Sequence, residues 1–350
     1  MKMVAVMALK PGMVLSEDVL TFKNELLFPA NTTLDEIKIA KLSRHSIMCV
    51  EVKEPEDFAT THFEKIRVSE GFKNFERVYN ECMPAYKNMI DGLISEGKAV
   101  DIPKLFSIYS SLTACAKTGE LLLDYLYNML PSEDDMTYAH CLNSALIAGV
   151  FGTWVGLSHE DMFVLIQCGF FYDIGKLMLP QELIWKPSKL TDMEFELMKT
   201  HTLQGFNLLK DMKLDDNIIK ATLMHHEKCD GSGYPSRLKE GQINTFAKYI
   251  SIIDAYEAMT SARTYRQSLI PFQVIENFEK TERFYSTLIL KQILSRIANS
   301  QMGLTVRLSD DSLAEVILIN QLKLSRPMVK CGDILMDLTQ YPDLSIVAVL

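Results

Sequence analysis

Six side chains of the types that bind transition metals recur through the middle of this 350-residue chain. They are His140 after Thr137-Tyr138-Ala139, Asp173 in FFYDIGK, His201 at the end of MKTH, His225 and His226 opening HHEKCDGSGYP, and Asp254 in SIIDAYEA. Imidazole nitrogens and carboxylate oxygens together form the donor set expected for zinc, manganese, iron or nickel. Four of the seven histidines belong to this pattern, whereas His45, His62 and His159 fall outside it and read as surface or structural residues.

The surroundings of the carboxylates sharpen the case. Asp173 follows LIQCGFFY and precedes LML, and Asp254 sits between YISII and AYEAM, so both belong to segments that should be mostly buried. A buried carboxylate is costly unless it is paired or coordinated. The bland alternative for Asp173 is an ion pair with Lys176, one helical turn on. Singly, His140 or His201 would more often be a satisfied core or cap residue. His225 and His226 differ, because helical neighbours point about 100° apart. That geometry suits two adjacent ions, or one ion plus a hydrogen-bonding role, better than a single shared ion.

Three compositional zones must position these residues. Residues 1–60 hold short apolar runs and turn signals (Lys10-Pro11-Gly12, ELLFPANTTL, IMCVEV), with Thr33 and Glu36 bracketing a short capped helix. This predicts a small β-rich module with one helix. Residues 61–130 form a helical lead-in, and 131–302 carry apolar residues at three- and four-residue intervals as a helical core. Breaks are expected at Pro84, Pro103, Pro131 and the Lys186-Pro187 turn. Residues 303–350 return to short β-branched runs, TVRLSD, LAEVILIN, RPMVKCG and LSIVAVL, as a terminal β-unit.

Composition excludes several classes of function. With 48% hydrophobic and 23% charged residues the chain has the makeup of an ordinary globular protein. A formal charge of -9 leaves no global field to hold a nucleic acid polymer. The seven cysteines are scattered, with no C-x-x-C pair, which argues against a disulfide framework or thiolate zinc site and fits a cytoplasmic location. The N-terminus lacks a signal-peptide core. The apolar stretch from Leu142 to Leu157 is too short and polar for a membrane span and reads as a buried core helix. The long helices before Pro131 could pair two chains as a homodimer.

The string His225, His226, Glu227, Asp230, Gly231, Gly233, Tyr234, Pro235 is similar to the signature of HD-GYP domains, the cyclic di-GMP phosphodiesterase family. The DIGK element, the KP-x-KLT turn from Lys186 to Thr191, MKTH-x-x-x-G from Met198 to Gly205, and DAYEAMTSARTYR agree in order, so the resemblance covers residues 130–300. It implies a mainly α fold, an HD-type helical bundle core with small β-rich units at both termini. It also implies a metal-dependent hydrolase that opens cyclic di-GMP to the linear dinucleotide pGpG, in some members onward to GMP.

The metal ligands implied are His140, Asp173, His201, His225, His226 and Asp254, with Asp173 bridging two ions, iron or manganese, that acidify a water nucleophile. Asp173 and Lys176 would be catalytic, with Lys176 on the scissile phosphate. Tyr234, Arg263 and Arg266 would bind substrate, and the GYP loop would wall the pocket.

The resemblance has two departures. Where the family has the histidine of HD, this chain has Tyr172, and where a three-metal subset has glutamate four residues before the first histidine, it has Met136. A tyrosine ligates only as phenolate, against an ordinary pKa of about 10, so Tyr172 reads as a packing or hydrogen-bonding residue. The expectation is one firmly held ion and a second held weakly or not at all. The rival reading is a degenerate domain that acts as a receptor for cyclic di-GMP or a related cyclic dinucleotide, or as an adaptor for signalling protein partners.

Overall fold

Short β-branched runs near the start of the chain pair into two small antiparallel sheets. In the computed structural model, which describes residues 1–54, 59–184, 186, 188–261 and 268–350, with the side chain of Glu133 also left undescribed, the chain divides into two compact units, Met1–Glu70 and Gly71–Leu350. In the first unit, β1 (Lys2–Ala5) pairs with β4 (Cys49–Val52), and β2 (Val19–Leu20) pairs with β3 (Leu26–Phe28). Helix α1 (Glu36–Arg44) lies between them in sequence, and Leu15, Leu34, Leu42 and Val50 are the heart of the unit's core. The cap of α1 is Asp35 rather than Thr33: its carboxylate accepts from the Lys38 N–H at 2.7 Å. Thr33 is drawn instead into an extended bridge with Val14. Helix α2 (His62–Val68) closes the unit, capped by Thr61 and Glu64.

The second unit is a helical bundle. Its first helix, α3 (Glu70–Glu96), runs through Pro84, where a break was expected. An internal proline costs about 3 kcal/mol. The helix continues because its Phe75, Tyr79, Met83, Tyr86, Ile90 and Leu93 stripe is buried, which offsets the lost hydrogen bond. Pro103 does act as punctuation, sitting in the first turn of α4 (Ile102–Thr113), and α5 (Gly119–Asn128) ends shortly before Pro131.

The core helix expected around Leu142–Leu157 is α6 (Met136–Val155), buried along nearly its whole length and stopped by Gly156 in the left-handed conformation, φ 73°. It packs against α7 (His159–Phe171), and α8 (Gln181–Ile184), α9 (Asp192–Lys199), α10 (His201–Leu209) and α11 (Asp216–Met224) follow in order. Helix α12 (Thr245–Thr260) returns to pack on α6, α7 and α11, and α13 (Pro271–Lys280) and α14 (Thr287–Asn299) complete the bundle. The chain then forms β5 (Thr305–Leu308), β6 (Leu313–Leu318), β7 (Met328–Cys331), β8 (Ile334–Asp337) and β9 (Ile346–Val349). These make one antiparallel sheet in the order β8-β7-β6-β5-β9, tied to α13 by a hydrogen bond from Ser325 Oγ to Glu279 Oε2 at 2.5 Å. The architecture is thus a mainly α bundle with small β-sheets toward both termini. Among the described residues, no helix is long and apolar enough to cross a membrane.

Candidate metal centre

Five elements deliver the six expected ligands. His140 comes from α6, and Asp173 from the residue that opens the short 3-10 turn Ile174–Met178 after α7. His201 is the first residue of α10, His225 caps the end of α11 with His226 just beyond, and Asp254 lies within α12. The Asp173 turn and α10 touch backbone to backbone. A Cβ on Gly175 would lie 2.0 Å from the His201 carbonyl oxygen, so glycine at this point is what lets Asp173 and His201 approach.

Asp173 is fully buried. Lys176 Nζ lies 2.6 Å from its Oδ2, yet neither carboxylate oxygen makes a hydrogen bond of normal geometry. His201 and His225 are oriented by the backbone: Nδ1 of each donates to a carbonyl, that of Met198 at 2.6 Å and that of Thr222 at 2.9 Å. The hydrogen therefore sits on Nδ1, and the two Nε2 lone pairs face each other at 3.2 Å. Asp173 Oδ1 is 3.3 Å from the first and 3.9 Å from the second. Burial pushes His201 below its ordinary pKa, pushes His225 well below, and brings His226 to about 4, so all three rings are neutral near pH 7. Lone pairs and a carboxylate oxygen converging without an intervening proton repel one another, and a cation resolves this. The donor set fits a divalent transition metal.

One ligand atom from each of His201, His225 and His226 lies within 4.8 Å of the others. The helical angle that would have kept His225 and His226 apart does not operate, because α11 ends at Met224 and the chain turns. Their ring centroids are 4.2 Å apart.

His140 and Asp254 form a separate half of the site on the Oδ2 side of Asp173. His140 Nδ1 donates to Glu257 Oε2 at 2.5 Å, and Nε2 is shared between Asp254 Oδ1 at 2.9 Å and the Tyr172 hydroxyl at 2.5 Å. Asp173 Oδ2 is farther from Nε2, at 3.5 Å. Burial opposes a charge on His140, but the Glu257 and Asp254 carboxylates outweigh it and raise the ring to about 10. Tyr172 is fully buried, and burial followed by the Asp254 charge pushes its pKa well above the ordinary value, so it is a neutral phenol. Its O–H donates to Asp254 Oδ1 at 3.3 Å, and Ser144 Oγ lies 3.0 Å from it. Tyr172 is therefore a hydrogen-bonding residue plugged between His140 and Asp254.

Glu257 carries no signal in the sequence, since a glutamate in AYEAM reads as the solvent face of a helix. In the fold it is buried, accepting from Asn143 Nδ2 at 3.0 Å and Ser261 Oγ at 2.5 Å, while Tyr79 of α3 in turn donates to Asn143 at 2.8 Å. Lys176 is pulled down by burial and raised more strongly by Asp173 and Asp254, so it stays an ammonium.

The loop after His226 forms one wall. Buried Glu227 accepts the Ser236 N–H at 2.6 Å and the Leu238 N–H at 2.8 Å, clamping the backbone on either side of Arg237. A Cβ on Gly233 would meet Lys228 N at 2.3 Å, so the loop doubles back on itself only because that residue is glycine. The Tyr234–Pro235 peptide is cis. Tyr234 packs its ring 4.7 Å from that of His226 and lines a cavity of about 250 Å³ with Met136, His140, Asp173, Lys176 and His201. Arg263 and Arg266, and Pro187 of the expected turn, lie outside the described residues.

Residues 124–285, which include these converging histidines and aspartates, match the HD domain family. Over that segment the chain is similar to HD-domain proteins. It is also a relative of cyclic di-GMP phosphodiesterases: one from Pseudomonas aeruginosa is 28% identical over 235 residues, covering 67% of this chain and 56% of the relative. Another from Thermotoga maritima is 30% identical over 216 residues, covering 57% of each chain. This chain thus spans somewhat over half the length of those curated relatives. An HDGYP protein from Bdellovibrio bacteriovorus shares the fold, with a TM-score of 0.50 at 12% identity over 85% of this chain and 99% of that one.

Proposed function

We propose that this protein is a metal-dependent phosphodiesterase that hydrolyses cyclic di-GMP to pGpG, and onward to GMP, in the cytoplasm. The observation that carries this reading is the facing pair of Nε2 lone pairs on His201 and His225, 3.2 Å apart beside Asp173 Oδ1, a buried oxygen with no hydrogen-bond partner. The ion would be held by Asp173, His201 and His225 with His226 beside them, iron or manganese suiting this nitrogen and oxygen set. Once bound, such an ion supplies Lewis acidity that offsets charge on a phosphoryl group and acidifies water. Asp173 anchors the charge balance. Lys176, which lines the same cavity, holds a scissile phosphate oxygen as a point charge. Tyr234 supplies an aromatic wall, and Glu227 keeps its loop in place. Arg263 and Arg266 complete the reading as grips for substrate phosphate or guanine.

One observation favours a second reading, a cyclic di-GMP receptor with little turnover. The Tyr172 hydroxyl occupies His140 Nε2 at 2.5 Å, so the His140–Asp254 half is closed by hydrogen bonds where a second ion would need a free donor. The two readings separate when purified protein is incubated with cyclic di-GMP and Mn²⁺ or Fe²⁺, beside Asp173→Ala and Tyr172→His variants. Turnover by the parent that Asp173→Ala abolishes, together with its bound metal, establishes the enzyme. A silent parent that binds the ligand, with turnover appearing in Tyr172→His, establishes the receptor. No binding of any cyclic dinucleotide sinks both.

A further inference from the structure

The cavity over the metal centre, about 250 Å³, is small for a molecule that carries two guanosines and two phosphates. Cavities that enclose even drug-sized ligands run to roughly 300–1,000 Å³. A second cavity of about 650 Å³ shares Tyr234 as a lining residue. The junction of α9 and α10 serves both: Met198 and His201 line the smaller cavity, Lys199 and Thr200 the larger. We propose that this larger groove is a second nucleotide subsite, taking one guanine against Phe195 and the phosphate remote from the metal on Lys199 and Arg237. The inference rests on the phosphodiesterase or receptor reading of the neighbouring centre.

The lining has the chemistry for such a ligand. Phe195 leaves 45% of its surface exposed and meets the Tyr234 ring edge-on at 6.3 Å, which forms an open aromatic corner beside the GYP loop. Aromatic faces of this kind accept any nucleobase by stacking. Lys199 Nζ stands 4.9 Å from the Phe195 centroid and 5.7 Å from that of Tyr234, so a cation is already placed over the corner. Its partner is Glu196 at 2.5 Å, whose side chain is 71% exposed, and so an arriving phosphate can replace that carboxylate without stranding a buried charge.

Arg237 adds an independent sign. Its φ of 55° lies in the left-handed region, where a glycine would be unstrained and a branched or long side chain is disfavoured. Glu227 holds that conformation through the N–H groups of both neighbours. The exposed guanidinium has no carboxylate partner among the described residues. A strained non-glycine residue that brings an unpaired guanidinium to the lining of a groove is best explained by a ligand.

The test titrates cyclic di-GMP calorimetrically into the metal-loaded 350-residue chain and into Phe195→Ala, Lys199→Met and Arg237→Gly variants, with metal content and unfolding temperature measured on each. Loss of a stacked base or a phosphate contact should weaken binding about tenfold in each variant, with metal content unchanged. Arg237→Gly is the sharpest arm, because it relieves the left-handed residue: its unfolding temperature should hold or rise while affinity falls, a combination that a purely structural role would not produce. Variants that bind within about twofold of the parent overturn the subsite and leave the reading of the metal centre standing. A parent that binds no cyclic dinucleotide overturns both.

Discussion

Tyr172 carries the largest consequence of any single residue in this site. Its phenol is buried, neutral and hydrogen-bonded to His140, Asp254 and Ser144, so it satisfies groups that would otherwise be left exposed to one another in a dry pocket. A phenol is a poor ligand for a divalent ion until it loses its proton, and burial opposes that loss. We therefore expect the parent protein, loaded anaerobically with Fe²⁺ or with Mn²⁺, to hold one ion per chain by plasma emission analysis, and Tyr172→His to hold two. A parent already holding two tightly bound ions would contradict the plugged geometry. The aspartate at the centre behaves oppositely: Asp173→Ala removes a carboxylate whose two oxygens face the two halves, and the tight ion should be lost with it.

At the scale of elements, the site depends on contacts that a single added methyl group can spoil. The turn Ile174–Met178 rests directly on α10 at Gly175, with the would-be Cβ 2.0 Å from a backbone oxygen that has no rotamer with which to move aside. Gly175→Ala should destabilise the fold by about 1–3 kcal/mol, and it should weaken metal binding as well, because the shift separates Asp173 from His201. Gly241→Ala, with nothing within 4 Å of the added atom, is the matched control and should change neither property. Chemical denaturation and metal titration read the two effects separately.

The lead-in to α9 makes a different prediction. Lys186 first, and then the Thr191 N–H and hydroxyl, hold the Glu194 carboxylate down to about 2 from an ordinary 4.5. A carboxylate with a lowered folded pKa contributes stability that is complete above its unfolded value and is lost as pH falls through the folded one. Glu194→Gln removes that contribution, so the thermal unfolding curves of variant and parent should differ at neutral pH and converge as the pH approaches about 2.

For the whole molecule, the question is how much chain the metal centre needs. The second compact unit begins at Gly71, and α3 belongs to it energetically as well as geometrically: Tyr79 donates to Asn143 at 2.8 Å, and Tyr86 donates to the Phe170 carbonyl at 2.7 Å. Both contacts reach the helices that carry His140 and lead to Asp173. A chain starting at Gly71 should fold and keep whatever metal binding and cyclic dinucleotide affinity the 350-residue chain shows. One starting at Pro131 should lose cooperative unfolding, because the buried faces of α6 and α7 are then exposed. Circular dichroism melts of the two truncations decide it.

Much of this molecule was legible from residue types in order. The buried character of α6, the terminal strands and the donor chemistry of six histidines and aspartates all follow from local patterns of apolar residues and from the cost of burying a charge. Punctuation was less secure: Pro84 lies inside α3 because a long buried stripe outweighs one missing hydrogen bond, and α1 is capped by Asp35 because Thr33 is taken into an extended bridge. Three features were decided only by tertiary structure. His225 and His226 converge because their helix ends one residue earlier, Glu257 reaches His140 from 117 residues away, and Tyr234 becomes the shared wall of two cavities. The physical reason is the range of the forces involved. Periodicity and burial act within one element and are written along the chain, whereas the direction in which a lone pair points depends on how helices distant in sequence pack, and a shift of about 1 Å in that packing changes the chemistry.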